Sequence, residues 1–102
     1  MRDGLYTVYF VTCITPDHVY IGIALDYDMR TSQHRRGKGS VWTKLHGFLR
    51  SDIIAKVSTE EEAKRLEIEW TSDALACGLQ ARGAAYTSCQ VRRIYREAGY
   101  PI

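Results

Sequence analysis

The chain is 102 residues long, 45% hydrophobic and 25% charged, with 14 Lys and Arg against 12 Asp and Glu for a formal charge of +2. This length and balance predict one small globular domain and exclude a disordered chain, while the near-neutral total selects no partner by itself. No apolar run approaches the roughly 20 residues of a membrane span, and Met1-Arg2-Asp3-Gly4 lacks a secretory leader's basic start and apolar stretch, so an intracellular protein is expected.

Leu5 to Thr15 is rich in β-branched and aromatic residues and reads as a strand. Pro16-Asp17 signals a turn, and Val19 to Ala24 resumes the strand composition, which predicts an antiparallel hairpin. Asp26 is placed to cap a helix over Tyr27 to Arg36, which Gly37 and Gly39 end. Val41 to Leu49 reads as a second short helix or an irregular segment. Asp52 to Val57 reads as a third strand.

Ser58-Thr59-Glu60-Glu61-Glu62 carries a capping box, either Ser58 with Glu61 or Thr59 with Glu62, and its three acids suit the positive end of a helix dipole. Ala63, Leu66, Trp70, Ala74 and Leu75 follow at helical spacing, and Leu66, Ile68, Trp70 and Ile94 are assigned to the core. Cys77-Gly78 closes this helix. A last helix is predicted over Ser88 to Ala98, with Val91, Ile94 and Tyr95 inward. The fold class is α+β: a small three-stranded antiparallel sheet flanked by helices. Cys13, Cys77 and Cys89 are too few and too widely spaced for a zinc site or a disulfide framework, and read as reduced, partly buried thiols.

Charge is unevenly spread. No acid lies between Asp28 and Asp52, a stretch that holds Arg30, Arg35, Arg36, Lys38, Lys44 and Arg50 with His34 and His46. Such a run is usually a solvated face, yet it also suits a phosphate backbone. Arg35, Arg36, Lys38 and Lys44 are therefore candidate DNA contacts. Trp42 joins them as a residue able to stack on a base, although a tryptophan in a small domain is more often packed.

Beside this run stand Tyr9 and Tyr20 on the hairpin, Arg30 ten residues on, His34 one helical turn after Arg30, and Glu67 in the acidic helix. Each is ordinary alone: strand tyrosines pack, and a helical Glu or Arg is usually solvated. Together they resemble the GIY-YIG nuclease family. Thr7-Val8-Tyr9 stands for the first half-motif and Tyr20-Ile21-Gly22 for the second. Arg30 and His34 match the family's Arg and the His one turn later, and Ala63 with Glu67 match its Ala-x-x-x-Glu. The resemblance covers about residues 4 to 75. Two departures stand out: Thr7 replaces a glycine, and the chain holds no Asn to match the one many members carry near the end of the domain. Gly39-Ser40-Val41-Trp42-Thr43 and Arg65 to Trp70 look most like the catalytic subunit of eukaryotic branched-DNA endonucleases. Those enzymes carry a zinc-binding C-terminal domain, so the expectation here is a bare catalytic domain, as in a viral, phage or bacterial stand-alone form.

The resemblance implies divalent-metal-dependent hydrolysis of DNA phosphodiester bonds. Catalysis would fall to Tyr9, Tyr20, Arg30, His34 and Glu67. Glu67 as the one matched carboxylate implies a single Mg²⁺ or Mn²⁺ per site. Arg30 would hold the phosphate, Tyr9 would act as general base, Tyr20 would bond the water or phosphate, and His34 would orient Tyr9 or share its proton. For Tyr9 to work near neutrality its pKa would have to fall by about 2–3 units from the phenol's usual value. The substrate expected is branched duplex such as a four-way junction or flap, cut by a homodimer or with a scaffold partner. The alternatives are a non-catalytic DNA-binding subunit, a sequence-specific restriction or homing enzyme, and an RNA-acting member.

Overall fold

Side-chain alternation along the hairpin decides which residues meet which helix. A computed structural model describes residues 4–83 together with Glu97, and among them runs β1 (Tyr6–Thr12), β2 (His18–Ala24), α1 (Tyr27–Arg35), α2 (Val41–His46), β3 (Arg50–Val57), α3 (Glu60–Ala76) and β4 (Gln80–Gly83). Successive strand residues face opposite sides of a sheet. One side of the hairpin presents Tyr6, Val8, Phe10, Val19, Ile21 and Ile23, which pack with Ala63, Leu66, Ala74 and Leu75 of α3. The other side presents Tyr9, Val11, Tyr20 and Ala24, which pack with Tyr27, Trp42 and Phe48.

The sheet order is β3-β1-β2-β4. β1 pairs antiparallel with both β2 and β3, and a bulge shifts the β1–β3 register between Val8 and Tyr9. Bulges twist a strand and re-aim its side chains, and this one lies beside Tyr9. The three expected strands are present, and a fourth corrects the expectation of a purely antiparallel sheet. β4 reads Gln-Ala-Arg-Gly, without a β-branched or aromatic residue, and it pairs parallel with β2.

Local signals set the helix ends. Asp26 accepts from the Met29 N–H and Ser40 from the Thr43 N–H, each capping the helix that follows. Of the two possible boxes on α3, Thr59 caps, accepting from Glu62 N–H at 3.2 Å. α1 ends at Arg35, with Arg36 as its cap rather than its last turn. At the far end of α3, Gly78 adopts φ 88° while Gly78 N–H bonds Leu75 O and Leu79 N–H bonds Ala74 O. That paired closure turns the chain into β4.

The buried stripe of α3 is Ala63, Glu67, Thr71, Ala74 and Leu75. Trp70 and Ile68, expected in the core, are instead 42% and 45% exposed. Leu66 is half-buried at the core margin. Cys13 is buried and Cys77 exposed. Cys89, Ile94 and the helix expected over residues 88–98 lie outside the described residues, apart from Glu97. No helix among the described residues is long and apolar enough to cross a membrane.

Candidate active site

Tyr9 sits opposite Gly22 across the hairpin. A Cβ at Gly22 would stand 2.5 Å from both Cζ and Oη of Tyr9 and 2.9 Å from Cε1 of Tyr20. The glycine of the second half-motif is thus a hollow into which the phenol lies. The two tyrosine rings have centroids 6.3 Å apart, and both residues are buried.

α1 then lays Arg30 and His34 over this pair. The Tyr9 hydroxyl and His34 Nε2 are 2.7 Å apart. On the far side of the ring, His34 Nδ1 is 2.9 Å from Thr43 Oγ1. A Cβ at Gly39 would collide with His34 Nδ1, so the loop after α1 reaches the imidazole only because that position is glycine. Arg30 lies within electrostatic reach of both Tyr9 and Tyr20 and donates from Nη1 to Gln33 Oε1 at 3.1 Å.

Burial dominates the electrostatics. It pushes the Tyr9 phenol well above its ordinary range, with the Tyr20 charge adding to the effect, the Arg30 bond and charge opposing it, and Glu67 adding a smaller upward push. Burial also raises Tyr20, against the pull of Arg30. Arg30 favours phenolate, but desolvation outweighs it, so Arg30 alone does not supply the lowering that a general base needs. Burial works against the Arg30 charge, yet the bonds and charges of Tyr9 and Tyr20 prevail and hold it firmly protonated. Burial, then Arg30, pushes His34 down to about 4, so its ring is neutral at neutral pH.

Glu67 is fully buried in the middle of α3 and within electrostatic reach of both tyrosines. Thr71 Oγ1 donates to the Glu67 main-chain carbonyl at 2.7 Å. A Cβ at Gly83 would stand 2.9 Å from Glu67 Oε1 and 2.8 Å from Thr71 Oγ1, so β4 passes the carboxylate at a glycine. No group of three or more His, Cys, Asp or Glu among the described residues forms a ready metal cage. A lone hard carboxylate fits Mg²⁺ or Mn²⁺, ions that take one or two protein oxygens and complete their shell with water and phosphate.

The candidate DNA contacts divide. Lys38 and Lys44 are exposed, and so are Arg35 and Arg36. Arg35 lies 5.0 Å from the centre of the Phe48 ring, and Arg36 Nε donates to Ser32 O. Trp42 is the packed one: its Nε1–H donates to Val19 O at 2.8 Å, and the Arg82 guanidinium sits 5.1 Å from its ring centre. Its indole is committed within the fold rather than held out to stack on a base.

Three neighbours of the cluster escaped sequence reasoning. Tyr27 packs its ring edge-on, 5.7 Å from that of Tyr9, and donates to Ser51 Oγ. Thr43 and Gly39 frame His34 as described. The only sequence signal for the last two was the Gly39 to Thr43 segment, which carries no periodic pattern. Tyr6 lies on the opposite side of the sheet.

The GIY-YIG catalytic domain family matches residues 5–76. A UPF0213 protein of Cupriavidus necator is 33% identical over 67 residues, covering 66% of this chain and 72% of that protein. No solved structure matches.

Proposed function

The chain belongs to the GIY-YIG catalytic domain family, a nuclease family, and on that premise we propose that it is a divalent-metal-dependent DNA endonuclease that selects branched duplex. The observation that carries the catalytic reading is the 2.7 Å contact of Tyr9 Oη with His34 Nε2, made within electrostatic reach of Arg30.

Hydrolysis of a phosphodiester needs an activated water, a clamp on the phosphate and relief of developing charge. Among the described residues Arg30 is the cation whose charge acts on both tyrosines, and it offsets charge on the scissile phosphate. Tyr9 takes the proton of the attacking water, with His34 as its partner. Tyr20 hydrogen-bonds the water or the phosphate. Glu67 would hold one Mg²⁺ or Mn²⁺, which when bound would supply Lewis acidity at the phosphate and favour proton loss nearby. That help is needed, because burial alone keeps Tyr9 protonated.

Two features support branched DNA as substrate. The exposed Arg35, Arg36, Lys38 and Lys44 suit backbone contacts, which position a duplex without reading its sequence. The Gly39 to Thr43 and Arg65 to Trp70 segments resemble those of branched-DNA endonucleases. A symmetric four-way junction cut twice calls for a homodimer or a scaffold that places two copies.

The test compares linear duplex, flap and four-way junction DNA with Mg²⁺, Mn²⁺ or EDTA, beside Glu67→Gln. Cutting of branched substrates that stops in EDTA and in the variant is the expected result. Cutting that survives either treatment removes the single-metal scheme. Equal cutting of all three removes branch selectivity, and binding without cutting makes the protein a non-catalytic DNA-binding subunit.

A further inference from the structure

α2 is six residues long, and its Thr43 is almost wholly buried at 1% exposure. A hydroxyl in such a place must find partners. Thr43 finds three. Its Oγ1 donates to Ser40 O at 3.3 Å, lies 2.9 Å from Ser40 Oγ, and lies 2.9 Å from His34 Nδ1. Ser40 Oγ in turn accepts the Thr43 N–H at 3.1 Å. The helix cap and the imidazole therefore share one oxygen.

We propose that Thr43 is a positioning residue that fixes His34 in the Nδ1–H tautomer, so that bare Nε2 becomes the acceptor of the Tyr9 hydroxyl proton. The proposal rests on the nuclease reading above for its catalytic meaning, but not for its geometry. A threonine hydroxyl has one proton and two lone pairs. Given to Ser40, at its carbonyl 3.3 Å away or its Oγ 2.9 Å away, that proton leaves Oγ1 with only lone pairs for His34. The hydrogen of that 2.9 Å bond then belongs to Nδ1. A neutral imidazole carries a single N–H, so Nε2 is left unprotonated and faces the phenol.

The surroundings keep the ring neutral. β1 brings Tyr9 against it, and β2 brings Tyr20 with ring centroids 5.0 Å apart. α1 brings Arg30, whose charge opposes an imidazolium. The cap and first turn of α2 bring Ser40 and Thr43, which are uncharged, and the preceding loop brings the Gly39 backbone. What varies at His34 near neutral pH is therefore which nitrogen holds the proton, not the charge.

In the reaction, a water O–H bond breaks and its oxygen bonds phosphorus while the P–O bond to the leaving sugar oxygen breaks. The water proton goes to Tyr9 Oη, the Tyr9 proton goes to His34 Nε2, and the leaving oxygen is protonated from solvent. The transient imidazolium keeps its Nδ1–H on Thr43 Oγ1. In the opposite tautomer Nε2–H would point at the phenol and block this transfer.

The tautomer is read directly from long-range ¹H–¹⁵N spectra of ¹⁵N-labelled protein near pH 7, with His34→Gln to assign the signals. The Nδ1–H form is expected for His34 in the wild type, a mixture or the Nε2–H form in Thr43→Val, and a return to Nδ1–H in Thr43→Ser. In cleavage of the branched substrate, Thr43→Val should lose about tenfold or more in kcat with KM for DNA unchanged, and Thr43→Ser should recover it. A wild-type Nε2–H form, or a tautomer that ignores Thr43→Val, overturns the proposal. Should Thr43→Val not fold, the wild-type spectrum decides alone. Wild-type protein that cuts nothing sinks the nuclease reading and leaves the tautomer result standing; full kcat in a folded Thr43→Val sinks the positioning role and leaves the nuclease reading standing.

Discussion

The two faces of one hairpin are buried by opposite means. Toward α3, burial is mainly aliphatic: Val8, Val19, Ile21, Ala63, Ala74, Leu75 and Ala81 meet, with Glu67 and Thr71 the polar side chains of α3 buried beside them. Toward α1 and α2, burial is aromatic and polar: Tyr9, Tyr20, His34 and Thr43 are all at most 3% exposed, and hydrogen bonds through His34 link three of them. The first face contributes stability by removing apolar area from water. The second fixes positions, because buried polar groups tolerate only arrangements in which each keeps its partner. Two phenols, an imidazole and a guanidinium make a poor core but a defined reaction site, and the aliphatic face across the sheet offsets what they cost.

Breaking the aliphatic face should cost the most stability. Ile21→Ala empties a wholly buried position and is expected to lower unfolding stability by about 2–5 kcal/mol, measured by denaturant titration. The polar face should answer to acid instead. His34 is held at about 4 when folded, below its ordinary 6.5, so its contribution is complete above pH 6.5 and is lost as pH falls toward 4. The shift corresponds to about 3 kcal/mol. Denaturant midpoints from pH 7 to pH 4 should fall more steeply in the wild type than in His34→Gln; equal slopes would mean that His34 does not titrate differently on folding.

Gly22 sharpens the contrast from within. Gly22→Ala adds one methyl group where the Tyr9 ring already lies, 2.5 Å from the new atom. A rigid ring held by His34 cannot yield cheaply, and a loss of about 1–3 kcal/mol is expected. The same shift pulls Tyr9 from His34 Nε2, so cleavage should fall further than stability does. A variant that keeps full cleavage would show that the Tyr9–His34 contact is dispensable.

The sequence made one face far more legible than the other. The hairpin, the caps at Asp26 and Thr59 and the closure at Gly78 rest on local chemistry, and each lies within a few residues of where composition placed it. β4 was hidden because Gln-Ala-Arg-Gly pairs through its backbone and has no strand composition to read. The cluster of Tyr9, Tyr20, Arg30 and His34 was legible through its resemblance to the GIY-YIG pattern, whose spacing these residues match. Thr43 and Gly39 were not, because their value lies in one oxygen and one missing methyl group, neither of which leaves a periodic trace.

The misplacement of Trp70 has the same root and gives the smallest prediction. Reading α3 by its large apolar residues picks Ala63, Leu66 and Trp70, but the buried positions include Ala63, Glu67 and Thr71. A carboxylate and a hydroxyl occupy turns where a purely structural helix would carry aliphatics, and they rotate the visible apolar stripe away from the true one. Trp70 is left at the edge, 42% exposed and touching the Phe10 ring edge-on at 6.4 Å. A core Trp→Ala change costs about 3–5 kcal/mol. For Trp70→Ala the expected loss is about 1–2 kcal/mol, below core size, since the residue keeps 42% of its surface in water and the change forfeits one edge-on ring contact. A loss of full core size would mean that α3 is turned on its axis, with Trp70 inward and Glu67 out. Thermal unfolding of this one variant therefore tests the burial of Glu67 without any assay of cleavage.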